Sequence, residues 1–208
     1  MQVLEFLRSK GFSRHILTSM KPDKEALLVN GMRAGGRSIL KEGDHFRVRV
    51  METGSMEGIV PAPLPLDILY EDEDILVLNK PADMPVHPSI GNYTNTLANA
   101  AAFYFQQKNE LCPFRCINRL DKDTTGITIL AKNSLSGGIL GRQMNERKIH
   151  RTYLAIVRGI TPESGTITAP IGRKEGSVLE RQVDFGQGEY ACTHYRRLAV
   201  KEIFSKNT

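Results

Sequence analysis

The residues best placed to do chemistry are crowded into one stretch, Asn118-Arg119-Leu120-Asp121-Lys122-Asp123-Thr124-Thr125-Gly126. Two carboxylates and two cations lie within five positions, directly ahead of the apolar run Ile127-Thr128-Ile129-Leu130-Ala131. That run reads as a strand entering a core. Gly126 supplies a tight turn between the two, so Asp121 is expected on a loop anchored by a buried strand. A carboxylate aimed from such a loop can act as a nucleophile or stabilise developing positive charge. Equally, Asp121 and Asp123 can simply accept backbone N–H bonds within a polar turn.

The elements that position this loop follow from pattern. Residues 3–10 read as a helix with Leu4, Phe6 and Leu7 on one stripe, closed by Gly11. Ser13 caps a second helix over 14–20 that turns Ile16, Leu17 and Met20 inward. Leu27-Leu28-Val29 is a strand ending in an Asn30-Gly31 turn, and residues 46–50 alternate as another. Residues 53–65 hold Gly54, Ser55, Gly58, Pro61, Pro63 and Pro65 and read as a linker. Strands are expected near 68–70 and 75–78, with the acidic residues 71–74 as a solvated hairpin turn between them. A helix begins at Thr96 and runs into Phe103, Tyr104 and Phe105, most of which should pack in the core. A further helix covers 135–145, and residues 151–159 read as a strand with Tyr153, Ala155 and Val157 on one face.

The chain has 208 residues, 40% hydrophobic and 25% charged, and no apolar run long enough to span a bilayer. Its N-terminus lacks the regions of a signal peptide, so a cytoplasmic location is expected. Three cysteines suit a reducing compartment, and Cys112 and Cys116 have no partner pair at zinc spacing. The net charge of +5 is concentrated in residues 1–50, with ten Lys and Arg against five Asp and Glu, while the rest balances at 18 against 18. A basic module ahead of a neutral body suggests docking to a polyanion.

Arg119-Leu120-Asp121, then Thr124-Thr125-Gly126 and the apolar run to Lys132, resembles the signature of the RluA-type RNA pseudouridine synthases. Asn79-Lys80-Pro81, Val86-His87-Pro88, residues 151–159, 169–173 and 191–195 are similar to further segments of that family. The first 52 residues, through Gly11-Phe12-Ser13-Arg14, Val29-Asn30-Gly31 and Gly43-Asp44, resemble the αL-type RNA-binding module shared with a ribosomal small-subunit protein. The resemblance implies an α+β architecture: an RNA-binding domain over 1–52, a linker over 53–65, and a largely antiparallel catalytic domain over 66–208. It implies that Asp121 is the catalytic carboxylate, that Tyr153 packs on the flipped uracil and serves as the base, and that Arg119 inserts into the RNA. Arg14, Lys21, Asn30 and Arg151 are the further expected RNA contacts, and Asn118, Leu120, Thr124, Thr125 and Gly126 form the active-site loop. The implied enzyme needs no cofactor or metal, acts as a monomer, and takes RNA, of the ribosomal large subunit where the αL-type module is present.

Two departures qualify the match. Asn118 stands where many members have His. The family also continues past Tyr195-Arg196 into a Thr-Gly-Arg-x-His-Gln-x-Arg motif whose last basic residue pairs with the catalytic carboxylate. The sequence runs to Thr208 without it, so a truncated chain with weak activity is expected. The alternatives are a non-catalytic RNA-binding relative, and a magnesium-dependent phosphotransferase reading of Asp121-Lys122-Asp123-Thr124-Thr125. The latter requires an apolar strand directly before Asp121, which Cys116, Asn118 and Arg119 interrupt.

Overall fold

Val3 and Leu7, one helical turn apart, are the buried residues of the first helix, α1 (Val3–Ser9). Phe6 lies beside them, meeting Phe46 edge-on at 5.8 Å, while Leu4 is only half buried. In the second helix, α2 (Arg14–Ser19), Ser13 Oγ accepts from Ile16 N at 3.3 Å, the N-cap expected from sequence. Three short strands follow, β1 (Leu27–Val29), β2 (Met32–Arg33) and β3 (Phe46–Val48), paired antiparallel in the order β2-β1-β3. Asn30 and Gly31, with φ of 51° and 80°, form the tight connection between β1 and β2. Ile16, Met20 and Ala26 are the buried centre of this module.

The computed structural model describes residues 1–52, 58–177 and 180–201. They fall into two compact units, Met1–Arg151 and Thr152–Thr208. Of the expected linker, residues 53–57 lie outside the described residues. The following stretch lies against the body: Ala62 N donates to Asn99 O at 3.1 Å, and Leu64 and Leu66 pack on the core.

That core is a sheet covered by a helix. Strands β4 (Ile68–Glu71), β5 (Ile75–Lys80) and β6 (Gly126–Ala131) pair antiparallel in the order β4-β5-β6. Leu76, Leu78 and Leu130 project from it onto Leu97, Ala101 and Phe105 of α3 (Leu97–Gln107). Helix α3 opens on a reciprocal cap in which Thr96 N donates to Asn99 Oδ1 at 3.1 Å and Asn99 N to Thr96 Oγ1 at 3.3 Å. The acidic stretch differs from expectation. Only 72–74 form the turn, where Asp72 Oδ1 accepts from Asp74 N and Ile75 N. Glu71 instead belongs to β4 and accepts hydrogen bonds from Tyr104, Lys108 and Lys132. Burial pushes its carboxyl up, but those donors outweigh burial and hold the pKa at about 2. Helix α4 (Ser134–Asn145) follows β6 closely and is capped by Asn133.

The second unit consists of two antiparallel pairs. β7 (Ser164–Thr168) pairs with β10 (Cys192–Arg196), and β8 (Ile171–Arg173) with β9 (Arg181–Val183). The strand expected over 151–159 is absent from these ladders. Its alternating pattern finds no partner strand among the described residues, so no sheet bonds fix it. Leu154 is 85% exposed and Ile156 wholly so.

Candidate active site

The 118–126 loop is fastened at both ends to one strand. Ile117 N donates to Ile129 O at 2.8 Å and Ala131 N to Arg115 O at 2.9 Å, so residues 115–117 run alongside β6 before the loop departs. Asn118 continues the ladder with its side chain. Its buried amide donates to Ile127 O at 2.8 Å and accepts from Ile129 N at 2.9 Å. A planar amide with a donor and an acceptor imitates a peptide here, which gives the Asn at this position a physical role. Leu120 is buried beneath the loop, and Gly126, at φ 118°, returns the chain to β6.

Between these anchors Asp121 stands exposed, its carbonyl accepting from Thr124 N at 3.1 Å to close a turn. Its carboxylate forms no hydrogen bond or salt bridge among the described residues. Thr124 is half buried, and Asp123 and Thr125 are exposed.

Under the loop lies a residue whose role sequence reasoning missed. Lys80, at the end of β5, is fully buried. Its three donors are spent on three carbonyls, Pro81 O at 2.8 Å, Met84 O at 2.8 Å and Lys122 O at 2.9 Å. Met84 N adds a second hydrogen bond to Lys122 O, at 3.2 Å. The peptide between Lys122 and Asp123, one residue beyond Asp121, is therefore clamped twice. Burial pushes the Lys80 ammonium down, while the charges of Asp123 and Asp121 draw it back up. Asn79-Lys80-Pro81 was visible in the sequence, but an ammonium folded back onto its own neighbours has no periodicity to reveal it. A surface pair, Lys122 Nζ to Asp83 Oδ1 at 2.7 Å, joins the same two segments.

Arg119 is exposed and pairs with no carboxylate among the described residues, so the structural salt bridge to Asp121 or Asp123 is not formed. Its charge adds to burial in holding the His87 imidazole below the usual range. His87 meets Phe114 edge-on at 5.0 Å and was likewise assigned no role from sequence.

The other expected residues lie elsewhere. Arg14, Lys21 and Arg151 are exposed and form no salt bridge among the described residues. Asn30 uses its amide internally, donating to Asp44 Oδ1 at 2.8 Å and accepting from His45 N at 2.9 Å, so the turn, not the amide, is presented outward. Arg142, in the last turn of α4, and Lys148 beyond it pair with Glu146 at 3.9 and 2.6 Å. Tyr153 belongs to the second unit and is 55% exposed. No helix of the described residues is long and apolar enough to cross a membrane.

Comparison with known proteins gives a concordant answer. Residues 74–207 match the family model described as RNA pseudouridylate synthase. An uncharacterised RNA pseudouridine synthase of Bacillus subtilis is 36% identical over 84% of this chain and 58% of its own length. Ribosomal large subunit pseudouridine synthase D of Xanthomonas campestris is 37% identical over 95% of this chain and 58% of its own. The chain thus spans a little over half the length of both relatives. A solved human structure, RNA Pseudouridylate Synthase Domain Containing 1, overlays with a TM-score of 0.48 at 28% identity, over 69% of this chain and 52% of that one. With the match to the family model covering more than half the residues, and the Asp121 loop inside it, the chain belongs to the RNA pseudouridylate synthase family.

Proposed function

We propose that the protein isomerises uridine to pseudouridine in structured RNA, with Asp121 as the carboxylate that acts at the sugar. The single observation that carries this reading is the exposure of Asp121 on a loop whose base is locked by the Asn118 amide and by the buried Lys80 ammonium. Exposure lets the carboxylate reach a ribose, and the lock fixes where it points, which is what orientation-dependent catalysis requires. The bond between C1′ and N1 of the uracil breaks, the freed base rotates, and C1′ rejoins through C5. The C5 proton leaves and N1 gains one, so the product is an isomer of the substrate. Asp121 serves either by adding to C1′ or by stabilising its positive charge while a sugar proton is removed.

A uridine within a helix must first leave the stack, at a cost of a few kcal/mol. In this reading Arg119 fills the vacancy, while Tyr153 packs on the base and takes the C5 proton. Arg14, Lys21 and Arg151 meet phosphates, which positions RNA without reading sequence. The relatives named for the ribosomal large subunit support large-subunit ribosomal RNA as the substrate, and hence work in the cytoplasm.

Tritium release from RNA labelled at uracil C5 tests the proposal. D121N should abolish release, by at least about a thousandfold, with RNA affinity unchanged. A wild-type chain that binds RNA, releases no tritium and is indistinguishable from D121N would be an RNA-binding relative instead. Y153F should lower release by about a hundredfold at unchanged affinity, because the ring remains and only the proton acceptor is lost.

A further inference from the structure

Cys192 and His194 occupy alternate positions of β10, and Thr168 and Thr166 stand directly opposite them on β7. Alternate residues of a strand share a face, so these four side chains form one array on the ladder. All four are exposed. The register is pinned from the other face, where Tyr195 lies opposite Gly165 and a Cβ on that glycine would come within 2.7 Å of the Tyr195 hydroxyl. The ring therefore fits only over a glycine. This opposes a one-residue slip, which would turn the Cys192 and His194 side chains to the opposite face.

Within the array the polar atoms follow the order of an activated nucleophile: thiol, base, and a group that orients the base. His194 Nε2 lies 3.7 Å from Cys192 Sγ, and Thr166 Oγ1 lies 2.8 Å from His194 Nδ1. With the ring proton on Nδ1 and donated to Thr166, Nε2 is bare and faces the thiol. Once Nε2 has taken the thiol proton, Nδ1 still donates to Thr166, so the hydroxyl oxygen holds the ring in both states. Thr168 Oγ1 donates to Cys192 Sγ at 3.6 Å, which favours the thiolate. The other two cysteines are built the opposite way. Cys112 Sγ donates to Lys132 O at 3.2 Å and Cys116 Sγ to Asn118 O at 3.1 Å. Burial pushes both of these thiols up to about 11, and a carbonyl acceptor requires the proton to stay on sulfur.

We propose that Cys192 is a nucleophilic thiol with His194 as its base, oriented by Thr166, and that it reacts with hydroperoxides, which makes β10 a site of reversible oxidation. The thiolate sulfur attacks one peroxide oxygen, so that an S–O bond forms as the O–O bond breaks. Sulfur gives up two electrons and the peroxide takes them. The departing hydroxide or alkoxide receives the proton held on His194, which leaves a sulfenic acid and water or an alcohol. A low-molecular-weight thiol then attacks the sulfenic sulfur, water leaves, and a mixed disulfide remains. Exchange with a second molecule of that thiol restores Cys192. The array draws on no residue of the Asp121 loop, so this chemistry stands or falls separately from the isomerisation proposed above.

Hydrogen peroxide with dimedone, which traps sulfenic acids, tests this on the purified full chain, with peptide mass spectrometry as the readout. At pH 7 Cys192 should be labelled at least about tenfold faster than Cys112 or Cys116, and in denaturant that preference should disappear. H194A should slow labelling of Cys192 by about tenfold at pH 7. At pH 10 the two chains should converge, because hydroxide then ionises an exposed thiol unaided. T166V should slow labelling by about threefold, and T166S, which keeps the hydroxyl, should restore it. T166V also stands in should H194A fail to fold. Equal labelling of all three cysteines in the folded chain would overturn the proposal. So would an unchanged rate in H194A at pH 7, a slowing that persists at pH 10, or T166S as slow as T166V.

Discussion

The Asp121 loop and the 151–159 segment both resemble family sequence, yet they stand in opposite physical situations. The first is held by short-range polar bonds from Asn118, Lys80 and Met84, with partners inside the same unit. The second is rich in apolar residues but bears no ladder, and Leu154 and Ile156 face outward. A carboxylate can be placed by a few directional bonds close to it. A tyrosine on a strand is placed only when another strand supplies the pairing.

This contrast can be broken at several strengths. After D121N, the largest effect should come from K80M, which strips three carbonyls of a buried charged donor. Loss of about 3 kcal/mol in denaturant unfolding and a fall of about a hundredfold in tritium release at unchanged RNA affinity are expected. Full activity in K80M would show that the clamp does not position Asp121.

Next comes acid sensitivity of the sheet that carries the loop. The Glu71 pKa falls from 4.5 in the unfolded chain to about 2 in the fold. Its stabilisation is therefore complete above about pH 4.5 and is lost as pH falls through 2. Unfolding at a series of pH values should show about 2 kcal/mol lost over that interval, and E71Q should flatten the profile there. The smallest effect belongs to the 151–159 segment: I156K should leave unfolding of this chain within about 0.5 kcal/mol of wild type. A destabilisation above about 2 kcal/mol would mean that the segment is packed in solution.

The sequence showed much of this architecture because its signals are local. Ser13 and Thr96 announce their caps, Asn30-Gly31 its turn, and the run from Ile127 to Ala131 its strand. Burial of Lys80 and the inward turn of Glu71 leave no periodic signal in the sequence, and each also depends on a partner distant along the chain. Lys80 reaches Lys122, and Glu71 reaches Tyr104, Lys108 and Lys132. The 151–159 segment misleads for the converse reason, since alternation records a preference for a sheet and not the presence of a partner. Candidate-site residues divide the same way. Asn118, Leu120 and Gly126 have visible structural work in the loop, whereas Arg14, Lys21 and Arg151 remain exposed cations whose value depends on an RNA.

The Asn99 side chain that caps α3 also bears on how long the fold lasts once formed. Asn99, at the start of α3, donates its amide to Val60 O at 2.8 Å and Tyr93 O at 3.1 Å. The bond to Val60 joins residues far apart along the chain, and closing so long a loop is entropically costly until the rest of the fold is in place. A contact that forms after the rate-limiting barrier barely alters how fast the protein folds, but it must break before the protein opens. An Asn99 bond formed in that order is a latch, and N99A should then speed unfolding while leaving the folding rate nearly unchanged.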